Sequence, residues 1–521
     1  MGQLTRDITD VRIVGDRDVT VSGIQYDSRL VRPGDLFAAL RGGDHDGHRF
    51  IPAAIANGAS AILVEHDAKV TGPQLITGDS RAVLAQCAAA FYGHPSRELT
   101  TIGITGTDGK TTTSHLIDHV LRRTGHVTGM IGTIGITIGS TRSDELPHQT
   151  TPESNLVQGY LRESVEAGCD TAIIEATSHG LATHRLDGVE FDIAGVTNIT
   201  REHLEFHGTI ERYRAAKAIL LHRVAANSGV VVLNADDSGA MAVLSSATGA
   251  DVVRYSVTGR DASIVASNVD VRIDGTAFDV VVDGTSFPVR LPLIGEFNVA
   301  NALCAIGVSR AAGASLNDIV VALESAGGVS GRLNRIDEGQ PFSVIVDYAH
   351  TPESLHKVLS LLRDVRAGGR LIVVSGSAGE RDPGKRPLQG AVCSRLADIS
   401  IFTNEDPRHE DAGQIISEIE AGARAAGGIV GESVFPIVDR REAIAHAMSL
   451  AAPGDTVLLA GKGHERSIII GDDHVPWDEA AVARAALEAL GFAAGERRVK
   501  RRTDGADHRC GRSSLPCWHS A

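Results

Sequence analysis

The feature of this chain that most constrains its fold is residues 101–114, TIGITGTDGKTTTS, where a β-rich run leads through a glycine turn into hydroxyl residues. Glycines let backbone N–H groups converge on phosphate oxygens, and the start of a helix adds a favourable dipole. Lys110 is placed to reach the terminal phosphates of a nucleotide, and the Thr111 hydroxyl to hold a magnesium ion. The stretch departs from the strict Walker pattern, because Ile104 stands where the first glycine should be. An ordinary tight turn is the alternative, but the rest of the pattern favours ATP binding.

The length and composition indicate a multidomain globular protein. Its 521 residues exceed what one hydrophobic core organises, so we expect about three domains. A hydrophobic fraction of 42% and a charged fraction of 22% are typical of soluble proteins. Acidic residues number 65 against 50 basic ones, and the net charge of −15 argues against a nucleic-acid partner. A local basic pocket for an anionic substrate remains compatible with this balance.

The cysteines and the first residues of the chain indicate a compartment. Six cysteines lack the CxxC spacing of metal sites and suit a reducing environment better than a disulfide framework. The opening MGQLTRDITDVRIVGD lacks the apolar centre of a signal peptide. No apolar run reaches about 18 residues, the length that a membrane span needs. We expect a cytoplasmic protein without a membrane partner, and take it to be a monomer.

Apolar patterning divides the chain into three α/β blocks and a tail. Residues 1–98 read as a small α/β domain with an Ala-rich helix pattern at its centre. In residues 99–330 strands alternate with helices, which favours a parallel sheet, and residues 251–290 read as an antiparallel insertion. Residues 331–494 form a third alternating block of Rossmann type, in which loops at the carboxyl ends of strands carry the chemistry. Residues 495–521 are basic without apolar periodicity and are predicted to be a disordered tail.

The fold class that this pattern predicts is a three-domain α/β protein, with a central P-loop-type parallel sheet and a C-terminal Rossmann-like domain. Strands are predicted at 100–106, 171–177, 192–199, 229–236, 277–284, 343–349, 370–377, 399–405 and 456–462, and helices at 51–57 and 298–312.

Acidic and nitrogen-bearing side chains follow the strands after the glycine turn. Glu175 ends a predicted strand, and the segment after the next strand contains His203, His207 and Lys217. Carboxylate oxygen and imidazole nitrogen are ligands suited to Mg²⁺ or Mn²⁺. For either histidine alone, a place on the flank of a helix is the simpler alternative.

The charge of Lys217 bears on whether these residues form a metal site. An ammonium about 4 Å from a cation is repelled by about 4 kcal/mol per unit of metal charge at an effective dielectric constant near 20. Lys217 is therefore either an ordinary exposed helix lysine or not an ammonium. Reaction with CO₂ would convert it into an anionic carbamate and reverse the sign of the interaction.

A series of motifs extends this pattern from about residue 20 to about residue 470. Together they resemble the Mur ligases of peptidoglycan synthesis, in the order expected of that family. The motifs are YDSRLVRPGDLF (26–37), DGHRF (46–50), GTDGKTT (106–112), TTPE (150–153), EATSHGL (175–181) with Arg185, TNITREHLEFHG (197–208) with Lys217, GEFNVANAL (295–303), GRLNRID (331–337), VDYAHTPESL (346–355), GERDPGKRPLQG (379–390), EDPR (405–408) and GKGHE (461–465).

The resemblance implies binding roles for individual residues. Contacts to the uridine nucleotide are implied for Tyr26, Ser28, Gly43, Asp44 and His45. Contacts to the muramoyl dipeptide are implied for Gln149, Thr150, Thr151, Thr177, Thr183 and Arg185. Contacts to ATP are implied for Gly106, Thr107, Asp108, Gly109, Lys110, Thr111 and Thr112, and further ones for Asn298, Arg332 and Asp347. Contacts to an incoming diamino acid are implied for Arg381, Glu405, Asp406, Pro407, Arg408, Gly461 and Glu465.

The resemblance also implies the reaction and its catalytic residues. ATP would phosphorylate the D-Glu carboxylate of a UDP-N-acetylmuramoyl dipeptide, and the amine of the diamino acid would attack the acyl phosphate. Two Mg²⁺ ions and Lys110 would neutralise the charge that separates carboxylate from phosphate. Thr111 would hold the first ion, and Glu175, His203 and carbamylated Lys217 the second. Closure of the domains would exclude water from the intermediate.

The motif EDPR leaves the identity of the amino acid open. Members that add diaminopimelate usually carry DNPR, whose arginine fixes the distal carboxylate of that substrate. Arg408 is present and favours meso-diaminopimelate through bidentate pairing. Asp406 in place of an amide, with Glu405 beside it, would suit the plain distal amine of lysine or ornithine. We favour meso-diaminopimelate.

Two other functions compete with this interpretation. A folylpolyglutamate synthase uses the same chemistry, but it lacks the YDSR and DGHRF segments that point to a UDP-linked acceptor. A catalytically silent nucleotide-binding scaffold is the second, and degraded motifs would support it. Lys110, Glu175 and His203 are all present together with Lys217, which favours an active enzyme.

Overall fold

The computed structural model describes residues 1–42, 46–143, 149–366 and 368–492. These residues belong to two compact units, one of Met1–Val329 and one that begins at Ser330. The predicted uridine contacts Gly43, Asp44 and His45, and the predicted tail at 495–521, lie outside the described residues.

The first unit begins with a small α/β sheet. Its elements are β1 (Arg12–Val14), β2 (Gly23–Gln25), β3 (Asp35–Ala38), β4 (Ala61–Val64) and β5 (Gln74–Ile76), with a 3₁₀ turn at Gly47–Phe50, α1 (Ile51–Ala56) and α2 (Ser80–Phe91). The strand order is β1-β5-β4-β3-β2, and β1 pairs with β5 in the antiparallel sense. Every residue of β3 and β4 is buried, as expected of parallel strands covered on both faces. The predicted small α/β fold of this segment is confirmed.

A larger sheet fills the rest of the first unit. Its strands are β6 (Thr100–Thr105), β7 (Thr128–Gly132), β8 (Gly135–Ile138), β9 (Thr141–Ser143), β10 (Thr171–Glu175), β11 (Ile193–Val196), β12 (Val230–Asn234), β13 (Asp251–Ser256), β14 (Ile264–Arg272), β15 (Gly275–Val282) and β16 (Thr285–Leu291). Its helices are α3 (Lys110–Arg123), α4 (Ser154–Glu166), α5 (Ser178–Ala182), α6 (Leu204–His207), α7 (Ile210–Ala226), α8 (Ser238–Ala242), α9 (Glu296–Ala311) and α10 (Leu316–Glu324), with 3₁₀ turns at Pro95–Glu98 and Leu244–Ala247.

The strand order of this sheet places β6 between β11 and β10. The order is β16-β15-β14-β13-β12-β11-β6-β10-β7-β8-β9, and the seven strands from β7 to β14 in this order pair in parallel. The carboxyl ends of β10, β6 and β11 therefore lie side by side, and the loops that follow them meet at one edge. The predicted parallel sheet is confirmed.

The predicted antiparallel insertion needs a correction at its start. Residues Asp251–Ser256 form β13, which pairs with β12 in parallel, so this part continues the central sheet. Within the predicted insertion, the antiparallel pairs are β14 with β15 and β15 with β16. In β15 buried residues alternate with half-buried ones, the period of a strand that packs one face on a core. The apolar alternation identified the strands but carried no information about their direction.

The second unit contains a six-stranded sheet and a hairpin. Its elements are β17 (Asn334–Ile336), β18 (Ser343–Asp347), β19 (Leu371–Ser375), β20 (Ile399–Phe402), β21 (Val434–Pro436), β22 (Thr456–Ala460), β23 (Ser467–Ile470) and β24 (Asp473–Pro476), with α11 (Pro352–Val365), α12 (Lys385–Leu396), α13 (Ala412–Ala425), α14 (Arg440–Leu450) and α15 (Glu479–Ala489). The order β17-β18-β22-β19-β20-β21 is parallel except for β17, and β23 pairs with β24. The doubly wound pattern predicted for this block is confirmed. Among the described residues, no helix is long and apolar enough to cross a bilayer.

Candidate active site

The loop between β6 and α3 is built around two glycines. Gly106 and Gly109 adopt φ values of +157° and +85°. A Cβ at Gly106 would lie 1.8 Å from Thr197 Oγ1, and one at Gly109 would lie 2.3 Å from Asn301 Oδ1. A side chain at either position would displace its neighbour, so glycine is what allows the close approach of this backbone to a phosphate.

The same loop is fastened to the segment that follows β11. Thr107 N donates to Asn198 O at 2.7 Å, and Asp108 N donates to Asn198 Oδ1 at 2.9 Å. The predicted nucleotide-binding residues 106–112 form one continuous loop and helix start at the carboxyl end of β6.

Two lysines converge on one carbonyl group of this loop. Lys110 Nζ donates to Gly106 O at 2.9 Å and to Thr107 O at 2.8 Å, and Lys217 Nζ donates to the same Gly106 O at 2.6 Å. Lys217 is only 1% exposed, so the alternative of an exposed helix lysine is wrong. Burial, with the Lys110 charge as a smaller cause, holds the pKa of Lys217 well below its ordinary value. The structure therefore favours a neutral amine at this position.

Tyr213 lies between the loop and Lys217, and the sequence analysis missed it. Its hydroxyl is 3.0 Å from Thr107 Oγ1, and Lys217 Nζ lies 4.7 Å from the centre of its ring. The tyrosine is fully buried, and burial raises its pKa. The signal that could have found it is its spacing, because residues four apart on a helix share a face.

Glu175, at the end of β10, is a second buried charge at this edge. Its Oε2 accepts hydrogen bonds at 2.9 Å from the hydroxyls of Thr111 and Thr133, and its Oε1 accepts one from Thr133 N at 3.0 Å. Thr133 was not among the predicted residues. A carboxylate and a hydroxyl at hydrogen-bonding distance are oxygen donors of the kind that Mg²⁺ prefers.

His203 lies near this cluster but is not joined to Glu175. It has a φ of +54°, and its ring nitrogens lie 3.3 Å from Glu205 Oε1 and 3.6 Å from Glu202 Oε2. Its ring centre is 6.4 Å from that of Tyr213. Within the described ranges, no three His, Cys, Asp or Glu side chains form a group able to hold a metal ion. The predicted second metal set is therefore incomplete without a modified Lys217.

Two further histidines, His179 and His207, pack in the same group of rings as His203 and Tyr213. His179 lies 4.8 Å from His203 and 5.4 Å from His207, and burial together with the His203 charge lowers its pKa to about 4. His207 is buried and packs on Tyr213 at 5.3 Å. His207 is thus a packing residue beneath the site.

The predicted dipeptide contacts lie beside Glu175. Thr151 Oγ1 donates to Glu175 O at 2.7 Å and lies 2.8 Å from Thr177 Oγ1. Arg185 Nη1 donates to Thr151 O at 3.0 Å, and its Nε lies 3.2 Å from Glu153 Oε1. The charge of Arg185 is therefore partly balanced by Glu153, a residue that the prediction did not include.

The remaining predicted contacts of the first unit differ in exposure. Thr150 Oγ1 lies 3.1 Å from Thr133 Oγ1, and Thr183 Oγ1 donates to His179 O at 2.7 Å. Gln149 is exposed. In the first sheet, Ser28 is buried and Tyr26 is 38% exposed. Burial, and secondly the Glu153 charge, raises the pKa of Tyr26.

Asn298 is fully engaged inside α9. Its Nδ2 donates to Ile294 O at 2.9 Å, and its Oδ1 accepts from Asn301 Nδ2 at 3.0 Å. Asn301 is the residue that faces Gly109. The arrangement links Asn298 through Asn301 to the loop between β6 and α3, whereas the contact to adenine stays a prediction.

The predicted nucleotide residues of the second unit surround Tyr348. The Arg332 guanidinium lies 5.4 Å from the centre of the Tyr348 ring. Asp347 ends β18 and accepts from Leu333 N and Ala349 N, each at 2.8 Å, and burial raises its pKa. Tyr348 Oη donates to Glu465 at 3.3 Å and so joins these residues to the predicted amino-acid contacts.

Asp406, in the loop after β20, is paired inside the second unit. Its Oδ1 accepts from Lys462 Nζ at 2.8 Å and from Ile469 N at 2.9 Å. Lys462 is fully buried and also lies 2.5 Å from Glu465 Oε2. One buried cation therefore balances two predicted substrate residues. Lys462 was not among the predicted site residues.

The neighbours of Asp406 carry polar atoms without partners among the described residues. Glu405 Oε2 and Arg408 Nε are both buried and unpaired there. Burial raises the pKa of Glu405, whose Oε2 would lie 3.1 Å from a Cβ at Gly461. Pro407 O accepts from Glu410 N at 3.0 Å, and Arg381 is exposed.

A buried ion pair holds the two loops of this site in place. Arg440 Nη2 donates to Glu479 Oε1 at 2.6 Å and to Ala460 O at 2.8 Å, and its Nη1 donates to Asn404 O at 3.0 Å. Asn404 precedes EDPR and Ala460 precedes GKGHE, so one guanidinium fixes the start of both motifs.

Three family descriptions match consecutive parts of the chain. They are "Mur ligase family, catalytic domain" at residues 20–96, "Mur ligase middle domain" at 104–309, and "Mur ligase, glutamate ligase domain" at 331–463.

Individual relatives match nearly the whole chain. A UDP-N-acetylmuramyl-tripeptide synthetase of Roseiflexus sp. is 47% identical, over 91% of this chain and 95% of the relative. A UDP-N-acetylmuramoyl-L-alanyl-D-glutamate–2,6-diaminopimelate ligase of Geobacillus kaustophilus is 41% identical, over 92% and 96%. A solved structure of a ligase with the latter name is 33% identical and superposes with a TM-score of 0.67, covering 90% of this chain and 95% of that one. With such matches along its length, this chain belongs to the Mur ligase family.

Proposed function

We propose that the chain is an ATP-dependent ligase that joins meso-diaminopimelate to the D-glutamate of UDP-N-acetylmuramoyl-L-alanyl-D-glutamate. Relatives named for this activity match the chain from its first domain to its last. The observation that carries the proposal is the phosphate loop, where Gly106 O accepts from both Lys110 and Lys217.

The reaction places two anions together before an amine can react. A D-glutamate carboxylate oxygen attacks the γ-phosphorus of ATP, and ADP leaves with the electron pair of the broken P–O bond. The amine then adds to the acyl carbon, phosphate leaves, and the amine loses a proton as the amide forms. Lys110 and the N–H groups of the loop hold the phosphates, while Arg185 suits an anionic part of the acceptor.

Magnesium fits the oxygen donors at the edge of β10. The Thr111 hydroxyl donates to the Glu175 carboxylate at 2.9 Å. Thr111 would hold the first ion at the foot of the phosphate loop, and Glu175 would contribute to the second. Bound there, magnesium would supply positive charge to neutralise the phosphate oxygens.

Lys217 would serve the site as a carbamate. The lone pair of its neutral amine attacks the carbon of CO₂, one C–O π pair moves onto oxygen, and one proton leaves the nitrogen. The product is an anion, and with Glu175 and His203 it would supply the second set of metal ligands. Support comes from burial of Lys217 beside Lys110, because two ammonium groups at one carbonyl repel each other.

The pairing of Asp406 supports diaminopimelate as the third amino acid. The distal amine of lysine or ornithine would need the extra negative charge of Asp406, with that of Glu405 beside it. Because Lys462 neutralises Asp406, that charge is not available to a distal ammonium. Arg408, with a buried Nε that has no partner among the described residues, suits a distal carboxylate.

The test is phosphate release with UDP-N-acetylmuramoyl-L-alanyl-D-glutamate and a panel of amino acids. We expect release with meso-diaminopimelate that exceeds release with lysine or ornithine at least about a hundredfold. Turnover with lysine or ornithine alone would reverse the choice of amino acid. A folate-linked acceptor used in place of the UDP-linked one would assign the chain to folylpolyglutamate synthesis, and nucleotide binding without turnover would indicate a scaffold.

A further inference from the structure

Tyr213 of the first unit contacts both the loop between β6 and α3 and the Lys217 side chain, although it was not among the predicted site residues. Tyr213 lies in the first half of α7, four residues before Lys217. Its hydroxyl bonds to the Thr107 hydroxyl in the loop, and its ring lies under the Lys217 nitrogen. Lys217 in turn donates to the carbonyl oxygen of Gly106, the residue before Thr107, so Tyr213, Lys217 and the loop are all in contact.

We propose that Tyr213 is a positioning residue that holds the Lys217 nitrogen at the phosphate loop, so that carbamylation occurs in the orientation the site needs. The inference rests on the proposed function in that it takes the Lys217 carbamate as given. It adds that the orientation of the carbamate depends on an aromatic ring outside the predicted site.

The contacts of Tyr213 divide its role into two parts. The hydroxyl acts on the loop, because Thr107 Oγ1 also donates to Thr200 O at 3.2 Å and accepts from Thr200 N at 2.9 Å. Tyr213 thus completes the fastening of the loop to the segment that leads to His203. Loss of this one hydrogen bond should loosen the loop and leave the amine in place.

The ring acts on the lysine. A lysine side chain has four flexible carbon–carbon bonds, and its nitrogen stays at Gly106 only if other positions are blocked. The Tyr213 ring blocks one side at 4.7 Å and is itself held by the His207 ring at 5.3 Å. Removing the ring would open space beside the amine, admit water and let the nitrogen leave the carbonyl.

Two variants separate these parts. Tyr213→Phe keeps the ring and removes the hydroxyl, and Tyr213→Leu removes both. The matched control is Phe191→Leu, because Phe191 is equally buried in the same core and its ring faces Gly103 of β6, where a Cβ would lie 3.0 Å from Phe191 Cε1. The primary measurement is the ¹³C-carbamate NMR signal of the full chain as ¹³C-bicarbonate is titrated. The ATP KM is measured beside it, and thermal unfolding verifies that each variant is folded.

The expected results differ between the variants. Tyr213→Leu should need at least about tenfold more bicarbonate than wild type for half of the carbamate signal. Tyr213→Phe should keep the wild-type bicarbonate dependence and raise the ATP KM roughly fivefold. Phe191→Leu should keep the bicarbonate dependence. Should Tyr213→Leu not fold, Tyr213→Met takes its place, because it also removes the ring, and it should show the same increase in the bicarbonate needed for half of the carbamate signal.

Two outcomes would count against the inference in different ways. A wild-type carbamate signal that Tyr213→Leu leaves unchanged overturns the positioning role and leaves the proposed function intact. Absence of the signal in wild type overturns the carbamate of the proposed function, and the positioning role with it.

Discussion

Lys110 and Lys217 donate hydrogen bonds to the same acceptor, the carbonyl oxygen of Gly106. Lys110 arrives from the first turn of α3, and Lys217 from the middle of α7. Two like charges this close, one of them fully buried, cannot both be retained without a large cost in free energy. The shared acceptor therefore favours a neutral amine at Lys217, and a neutral amine is a nucleophile that can react with CO₂.

Replacing Lys217 tests this role directly. We expect Lys217→Ala to lower kcat at least about a hundredfold, because the site loses an anion that stabilises charge in the transition state. Added bicarbonate or a short carboxylate should restore part of the activity by occupying the vacated space. Lys357→Ala, on the exposed face of α11 in the second unit, is the matched control and should stay near wild type. Full activity of untreated Lys217→Ala would contradict the carbamate.

His115 predicts how the stability of the first unit depends on pH. Its Nε2 is buried and lacks a hydrogen-bond partner among the described residues, and burial lowers its pKa from 6.5 to about 4. Between these values the unfolded chain binds a proton that the folded chain does not, so stability is lost as the pH falls through this window. From pH 7 to pH 5 the loss from this group should be about 2 kcal/mol.

Urea unfolding at the two pH values measures this loss. His115→Gln should reduce the drop in unfolding free energy by that amount, whereas His222→Gln, on the exposed side of α7, should leave the drop as in wild type. Equal drops in wild type and His115→Gln would show that the buried imidazole is not the cause.

Two neighbouring residues among the predicted amino-acid contacts, Arg408 and Asp406, should differ in how strongly their substitution affects the KM for meso-diaminopimelate. Arg408→Lys should raise the KM for meso-diaminopimelate about a hundredfold, because lysine cannot pair with a carboxylate through two parallel bonds. Asp406→Asn should change that KM less than about threefold, because the Asp406 charge is already balanced by Lys462. Steady-state kinetics with meso-diaminopimelate and lysine measures both effects. A loss of residual lysine turnover in Asp406→Asn, together with a marked fall in its KM for meso-diaminopimelate, would show that the Asp406 charge faces the substrate.

Local patterns account for the part of this structure that the sequence predicts. The strand β6, its glycine turn and the helix α3 follow one another within a few residues, so spacing alone identifies them. The strands β10, β11, β12 and β22 are also predicted locally, because parallel strands buried on both faces are short, nearly continuous apolar runs.

The pairing of charges follows from contacts between distant parts of the chain. Lys217 meets Gly106 across 111 residues, and Asp406 meets Lys462 across 56. Local sequence patterns do not report contacts over such separations, because these contacts depend on which strands lie side by side in the sheet. For this reason the sequence leaves Lys217 as an exposed lysine and Asp406 as an available charge, and in the structure both are buried.

Gly109 predicts how sensitive the phosphate loop is to a single methyl group. Its φ of +85° costs a residue with a side chain about 1–3 kcal/mol, and a Cβ would lie 2.3 Å from Asn301 Oδ1. Asn301 cannot swing aside freely, because its Nδ2 is bound to Asn298 Oδ1 at 3.0 Å. Gly109→Ala should therefore weaken ATP binding at least about tenfold, measured by calorimetric titration of the folded variant. Gly78→Ala, where a Cβ would meet open space, is the control, and equal ATP affinity in both variants would mean that this loop does not contact the nucleotide.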